Sequence, residues 1–283
     1  MSRFMLIALL VLVQLLQLAL AKQHSWCDAS LCAGVKHIAC RNNGVSNLRT
    51  CHMPLKTSNQ TFHCPLQHFH KRCQPDAFEV EISARNKAHF VHGHNKRRNF
   101  VALGKLPGYY PAARMTTMMW DDELQYLASL NVRTCKLDHD ACHNSYRFAN
   151  SGQNLCAVWR NRNPHVNVTS LIEESLGLWF NEYDLIDSSY IDRFRVTKHF
   201  EEYGHFVEMV VDKSAKIGCA ILRFTRPDHT YGYVYNVVCN YSSIYALDAP
   251  VYEVGRTASR CQTGRNPLYP GLCSTREHYD PNW

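Results

Sequence analysis

The sequence predicts an α+β fold in which a small central sheet is covered by helices on both faces and is crosslinked by disulfides. Two strand patterns near the end of the chain, residues 217–224 and 231–241, are apolar on both faces, which is typical of strands buried on both sides. Upstream, apolar residues recur at three- and four-residue spacing, which indicates amphipathic helices. The cysteine content indicates the crosslinks.

Residues 1–21 have the pattern of a secretory signal peptide. Arg3 precedes an almost unbroken apolar run from Leu6 to Leu20, and Ala19-Leu20-Ala21 is a small-x-small cleavage site. A membrane anchor is the alternative, but the run is shorter than the ~20 residues of a spanning helix, and no basic stop-transfer cluster follows it. We therefore expect a secreted, extracellular chain without a membrane span.

The formal net charge is +7, and the basic residues are scattered apart from one short run at residues 96–98. That run lies beside apolar residues at helical spacing, so a solvated helix face is expected and a nucleic-acid partner is not. Three N-x-S/T sequons occur. Asn59 and Asn167 lie in polar surroundings and are predicted to be glycosylated, whereas Asn240 lies in an apolar strand and is not.

All 13 cysteines follow the predicted signal peptide, so in a secreted chain they indicate disulfides and not catalytic thiols. An odd number leaves at least one cysteine without an intrachain partner. Residues 22–81 contain six of them and few apolar runs, which predicts a loop-rich extension held by crosslinks. Cys64 is expected to pair with Cys73 across a short loop, and Cys261 with Cys273 in the tail 246–283.

The domain between these segments, predicted as residues 82–245, begins with two helices. The first carries Phe90 and His94 on its apolar face and ends near Gly104, and Asp121 can cap the second. Residues 170–173 have the capping-box pattern and predict the start of a third helix. Glu182 lies near the edge of that helix's buried face, where spacing alone favours an exposed acid.

Two stretches carry the candidate chemistry. Residues 135–156 contain His139 between two acids, and residues 203–219 contain His205. Histidines so far apart in the sequence can form one site only if the fold brings them together. No H-E-x-x-H motif and no serine or cysteine nucleophile with an evident base accompanies them.

In this order, the motifs resemble the CAP superfamily, and more narrowly the insect venom-allergen antigen-five group. The resemblance covers about residues 82–245. The residues that carry it are His94-Asn95, Trp120 to Leu124, Cys135 with His139 and Cys142, Gly152-Gln153-Asn154, Trp179 with Glu182, Gly204-His205-Phe206, Ile217-Gly218-Cys219 and Cys239-Asn240-Tyr241.

The resemblance implies an α-β-α sandwich with a small antiparallel sheet between helices. It also implies disulfides, and it leaves Cys156 as the unpaired cysteine, a buried thiol acting as a small hydrophobe. The implied pairs are Cys27–Cys40, Cys32–Cys142, Cys51–Cys135 and Cys219–Cys239.

Family members often carry two histidines and two acids in a central cleft. The resemblance assigns the histidines to His139 and His205, one acid to Glu182 and the other position to Gln153. Glutamine cannot act as a general base, so a mechanism with two carboxylates is not available. These four residues are the candidate ligands of zinc or another divalent cation, with no cofactor required. The alternative is that both histidines are hydrogen-bonded core residues. Glu208 stands where glutamine is usual, and Val211 where tryptophan is usual.

Three functions compete. We favour a monomeric, non-enzymatic protein that binds a cation, and a lipid, sterol or extracellular protein partner. The alternative is a metal-dependent hydrolase or protease that uses His139, His205 and Glu182. A channel-directed toxin would need a further cysteine-dense C-terminal module, but only Cys261 and Cys273 follow the sheet.

Overall fold

The computed structural model of the chain describes residues 26–40, 69–161, 166–225 and 232–282. The predicted signal peptide 1–21, the sequon at Asn59 and the cysteines Cys51 and Cys64 lie outside the described residues. Within these ranges, no helix is both long enough and apolar enough to cross a membrane.

The described residues form an α+β fold. Its α-helices are α1 (Ala84–Ala102), α2 (Asp122–Val132), α3 (Val168–Phe180), α4 (Ser188–Asp192) and α5 (Gly204–Met209). Its strands are β1 (Phe78–Val80), β2 (Met119–Trp120), β3 (Gly152–Arg160), β4 (Lys216–Phe224) and β5 (Tyr233–Tyr241). Short 3-10 helices cover Ala29–Leu31, Asn181–Leu185 and Phe200–Glu202.

The sheet has the order β1-β4-β5-β3, with antiparallel neighbours, and β2 adds a short parallel pairing to β4. The two strands predicted at the end of the chain, β4 and β5, are therefore confirmed as neighbours. β3 pairs with β5 over its whole length, from Gly152 opposite Tyr241 to Arg160 opposite Tyr233. This register brings Gln153 and Asn154 next to the end of β5.

Side chains of β4 and β5 alternate between two cores, as the two-residue period of a strand requires. Cys219, Ile221 and Val237 join one core with residues of α1, α3 and α5. Ala220, Leu222 and Val238 join the other core with Ala128 and Val132 of α2. The sheet is therefore buried on both faces, and the expected α-β-α sandwich is confirmed.

The N-cap predicted for α2 is confirmed, and the start predicted for α3 is wrong. Asp121 caps α2, because its carboxylate accepts hydrogen bonds from the backbone N–H groups of Glu123 and Leu124. The capping box predicted at residues 170–173 is wrong. The N-cap of α3 is Asn167, whose Oδ1 accepts from the Ser170 N–H at 3.2 Å, so the helix begins one turn earlier.

Asn167 itself is exposed, and the cap occupies only its oxygen. The Nδ2 atom, to which an N-glycan would be attached, is not part of that hydrogen bond. The cap and a glycan at this predicted site are therefore compatible. Asn240 is fully buried, which agrees with the expectation that it is not modified.

Disulfides in the described part of the chain join Cys27 to Cys40, Cys32 to Cys142, Cys219 to Cys239 and Cys261 to Cys273, as expected. Cys156 is free and packs against the main core, and burial raises the pKa of its thiol to about 12.

Two predicted disulfides, Cys51–Cys135 and Cys64–Cys73, are wrong, because Cys73 pairs with Cys135. The segment before β1 runs along the C-terminal end of α2, where the His70 N–H donates to the carbonyl of Arg133 at 3.0 Å. The Arg133 Nε in turn contacts the carboxylate of Glu79 at 2.5 Å. These contacts place Cys73 beside Cys135. The short sequence separation between Cys64 and Cys73 therefore did not predict the pairing of Cys73.

Candidate functional site

A cleft of about 450 Å³ contains both candidate histidines in its wall. His139 lies on the irregular loop between α2 and β3, and His205 lies in the first turn of α5. Phe200, Leu137 and Leu155 give the same cleft apolar surface. The fold thus brings the two histidines to one cleft, as the sequence required for a shared site.

The ring of His205 is held from behind by Glu182. Its Nδ1–H donates to Glu182 Oε1 at 2.6 Å, and the Phe206 N–H donates to Glu182 Oε2 at 3.0 Å. The Trp179 ring stacks on the imidazole at a centroid distance of 6.2 Å. Glu182 lies in the 3-10 helix that continues α3, and its side chain is only 15% exposed. The reading of Glu182 as an exposed helix acid is therefore wrong.

The ring of His139 is held by Gln153. The Gln153 Oε1 lies 3.0 Å from His139 Nδ1 and also accepts the backbone N–H of Asp140 at 3.2 Å. Partial desolvation in the cleft lowers the pKa of His139 below its usual range, although the residue is exposed at the surface, and the nearby His205 adds to this effect. The two histidines therefore differ, since a carboxylate holds one and a neutral amide holds the other.

Gly152, Gln153 and Asn154, the first residues of β3, each have a separate role. Asn154 Nδ2 donates to the carbonyl of His205 at 3.0 Å and to the hydroxyl of Tyr241 at 3.2 Å, which fixes the start of α5 on the sheet. A side chain at Gly152 would collide with the carboxyl of Glu208. The sequence marked these three residues through the resemblance, but it did not predict the contacts of Asn154.

Both histidines leave their Nε2 atoms available. Because both Nδ1 atoms are engaged with oxygen acceptors, the neutral rings carry their protons there, and Nε2 has a lone pair. In the described part of the chain, neither Nε2 has a hydrogen-bond partner. An exposed lone pair on imidazole suits a divalent cation such as zinc.

Two of the four predicted metal ligands, Glu182 and Gln153, hold the histidine rings in this structure. Both oxygens of Glu182 and the Oε1 of Gln153 are engaged in holding the rings. No group of three or more histidine, cysteine or acidic side chains that could hold an ion exists among the described residues. The Nε2 atoms of His139 and His205 are thus the candidate donor atoms, with Glu182 and Gln153 behind them.

The Ser151 hydroxyl is not hydrogen-bonded to His139 or His205, so neither ring can activate it as a nucleophile. The hydroxyl donates to the carbonyl of Tyr241 at 2.7 Å and is buried. The nearest ring hydrogen bond at this residue is from His143 Nε2 to the Ser151 carbonyl, at 3.1 Å. This geometry lacks the hydroxyl-to-imidazole contact of a catalytic triad.

Glu208 points inward, which the sequence could not decide. It lies in α5 at the wall of the cleft, is only 1% exposed, and its oxygens have no hydrogen-bonding side chain among the described residues. Burial raises the pKa of Glu208 well above its usual range, and Arg98 and the Tyr245 backbone offset this only in part. The carboxyl is therefore a neutral, buried group at low pH and a costly one when it ionises.

We expect Glu208→Gln to stabilise the protein more as the pH rises. The folded-state pKa of Glu208 is above the unfolded value, so the stability it contributes at low pH is lost as the pH rises through the folded pKa. Thermal unfolding between about pH 5 and about pH 8 measures this difference in Tm. Glu201→Gln, an exposed acid of the same cleft, is the charge-matched control, and an equal pH trend in the two variants would contradict the prediction.

Comparison with known proteins agrees with this architecture. The model of the CAP or Cysteine-rich secretory protein family matches residues 91–241. The chain is 35% identical to Venom allergen-1 of Aedes aegypti over 255 residues, covering 89% of this chain and 88% of that protein. It is 38% identical to the Antigen 5 like allergen Cul n 1 of Culicoides nubeculosus over 189 residues, covering 67% and 74%.

Among solved structures, the chain is similar in fold to NaASP2, crystallised with Zn2+. The TM-score is 0.54 at 23% sequence identity, and the match covers 71% of this chain and 100% of that one. The Hookworm Platelet Inhibitor gives a TM-score of 0.51 at 20% identity, covering 73% and 98%. With the family match and the venom-allergen relatives, these similarities show that the chain belongs to the CAP, or cysteine-rich secretory protein, family.

Proposed function

We propose that this is a secreted, non-enzymatic binding protein whose central cleft holds a divalent cation between Nε2 of His139 and Nε2 of His205. The observation that carries the proposal is that both rings line one cleft with their Nδ1 atoms engaged and their Nε2 atoms free of partners among the described residues. Zinc is the first cation to test, because imidazole suits it and NaASP2 was crystallised with it.

Two protein ligands imply a modest affinity, since zinc prefers four and water would complete the shell. Affinity also depends on pH, because an imidazole must lose its proton before its nitrogen binds a metal. Because the pKa of His139 is lowered, protonation of this ring should weaken zinc binding only below the reference histidine pKa of about 6.5.

Calorimetric titration of zinc at neutral pH tests the cation site. We expect binding to wild type and a loss of about tenfold or more in His139→Ala, which removes one of only two protein ligands. His92→Ala, a histidine of α1 outside the cleft wall, is the matched control and should behave as wild type. Equal heats for wild type and His139→Ala would contradict the proposal.

The cleft supports binding better than catalysis. Gln153 cannot act as a base, Glu182 is committed to His205 and Phe206, and the Ser151 hydroxyl donates to the Tyr241 carbonyl and not to an imidazole. We therefore expect no peptidase or esterase turnover above background from the purified protein. Turnover that is lost in Glu182→Gln with the fold intact would instead support the alternative, a metal-dependent hydrolase.

A second surface supports a lipid ligand. A groove of about 360 Å³ runs between α1 and α3 and combines the apolar side chains of Phe100, Leu103 and Phe180 with the cations Lys96 and Lys105. This combination suits an amphiphile with an anionic head and an apolar tail, such as a fatty acid. It gives less support to an uncharged sterol, which would leave the lysines without a partner.

Displacement of a fluorescent fatty acid tests the groove. We expect the double variant Lys96→Glu and Lys105→Glu to weaken binding about tenfold or more, because two attractive charges become repulsive. Lys36→Glu with Lys71→Glu is the charge-matched control, since both lysines are exposed and lie outside the groove. Equal binding by the two double variants would show that the groove is not the site.

A further inference from the structure

Asp140 lies directly behind the cation site, outside the cleft wall. Its side chain is only 3% exposed, and its Oδ1 accepts a hydrogen bond from Asn131 Nδ2 at 2.8 Å. The sequence pattern drew attention to it only as one of the two acids that flank His139. Neither the resemblance nor the proposed cation site gives this buried acid a role.

Asp140 contacts both ends of the Gln153 side-chain amide. Its backbone N–H donates to Gln153 Oε1 at 3.2 Å, and its Oδ2 accepts from Gln153 Nε2 at 2.8 Å. A reversed amide would place oxygen against the carboxylate and NH2 against the N–H, which are both repulsive. The Oδ1 of Asn240, 2.9 Å from Gln153 Nε2, adds a second acceptor at the same end.

The orientation of the amide decides the tautomer of His139. Because Gln153 presents oxygen to the Nδ1 of His139 at 3.0 Å, that nitrogen must carry the proton. The lone pair is then on Nε2, the atom that a metal ion would bind. Without this acceptor, a neutral imidazole in water favours the opposite tautomer, with its proton on Nε2.

The contact with Asp140 also explains why position 153 carries an amide and not a carboxylate. A glutamate at this position would bring a second carboxylate to hydrogen-bond distance of the Asp140 carboxylate, and like charges at that separation repel. The amide avoids this repulsion because it donates to Asp140 and accepts from His139. In this chain, the carboxylate that supports His139 is therefore one residue further from the cleft than the one that supports His205.

We propose that Asp140 is a positioning residue for the cation site, which acts through Gln153 to keep the proton of His139 on Nδ1 and its lone pair on Nε2. The inference builds on the proposed cation-binding function. The tautomer of His139, which the inference concerns first, can nevertheless be measured in the metal-free protein. A hydrogen bond to a charged acceptor contributes more than one between neutral groups, so loss of the carboxylate removes the strongest contact on the amide.

The test is the tautomer of His139 in the metal-free protein, read from the 15N shifts of its ring nitrogens at a pH where the ring is neutral. We expect wild type to have the proton on Nδ1 and Asp140→Ala to show a mixture with the Nε2–H tautomer. Asp138→Ala is the matched control. It removes an equal charge from the same loop, but Asp138 is exposed and does not contact Gln153.

Zinc titration of the same proteins gives the second readout. We expect Asp140→Ala to bind zinc roughly tenfold to a hundredfold more weakly, as is usual when a group that orients a metal ligand is lost. Asp138→Ala should stay close to wild type. An unchanged Nδ1–H tautomer in Asp140→Ala would overturn the inference, even if wild type binds zinc. A changed tautomer in a protein that binds no zinc would support the inference and contradict the cation site.

Asp140→Asn covers the case in which Asp140→Ala does not fold. Asparagine keeps the size of the side chain but offers one oxygen to two donors, Asn131 Nδ2 and Gln153 Nε2. The tautomer should change in the same direction and by less. If Asp140→Asn folds and its His139 spectrum is that of wild type, the carboxylate has no positioning role.

Discussion

The structure of the cleft depends on how the loop between α2 and β3 is held. This loop carries His139 but contains no helix or strand of its own, so its shape must come from contacts with other segments. Disulfides fasten it on either side of His139, through Cys135 to Cys73 and through Cys142 to Cys32. Each of these bonds joins the loop to a segment from the N-terminal part of the chain. The cysteine-rich extension thus serves the site as well as the fold.

His205 is positioned by different contacts. His205 lies on a short helix whose first turn is attached to the sheet by Asn154 and to the 3-10 helix after α3 by Glu182. His139 is therefore held by covalent crosslinks and a neutral amide, and His205 by regular secondary structure and a carboxylate. In the proposed cation site, both donor nitrogens would therefore be oriented before an ion arrives, which favours binding because little ordering is needed.

The sequence predicted the elements well where the signal was local or periodic. The apolar pattern of β4 and β5 and the cap at Asp121 are examples, because each depends on a few neighbouring residues. Local patterns failed where a contact joins distant segments, and there only the resemblance predicted pairs such as Cys32–Cys142. Nothing near Cys73 shows that it meets Cys135, and nothing near Glu182 shows that it meets His205. The role inferred for Asp140 depends on the register of β3 against β5, which no local pattern contains.

Cys156 has a consequence for how the protein reaches its native state. An unpaired thiol can attack a disulfide, but only as a thiolate. In the folded chain the pKa of Cys156 is raised to about 12, so thiolate is scarce at neutral pH. In the unfolded chain this protection is absent, and Cys156 competes with every correct partner. Packing of the Cys156 side chain into the core that includes α3 therefore suppresses disulfide exchange by this thiol.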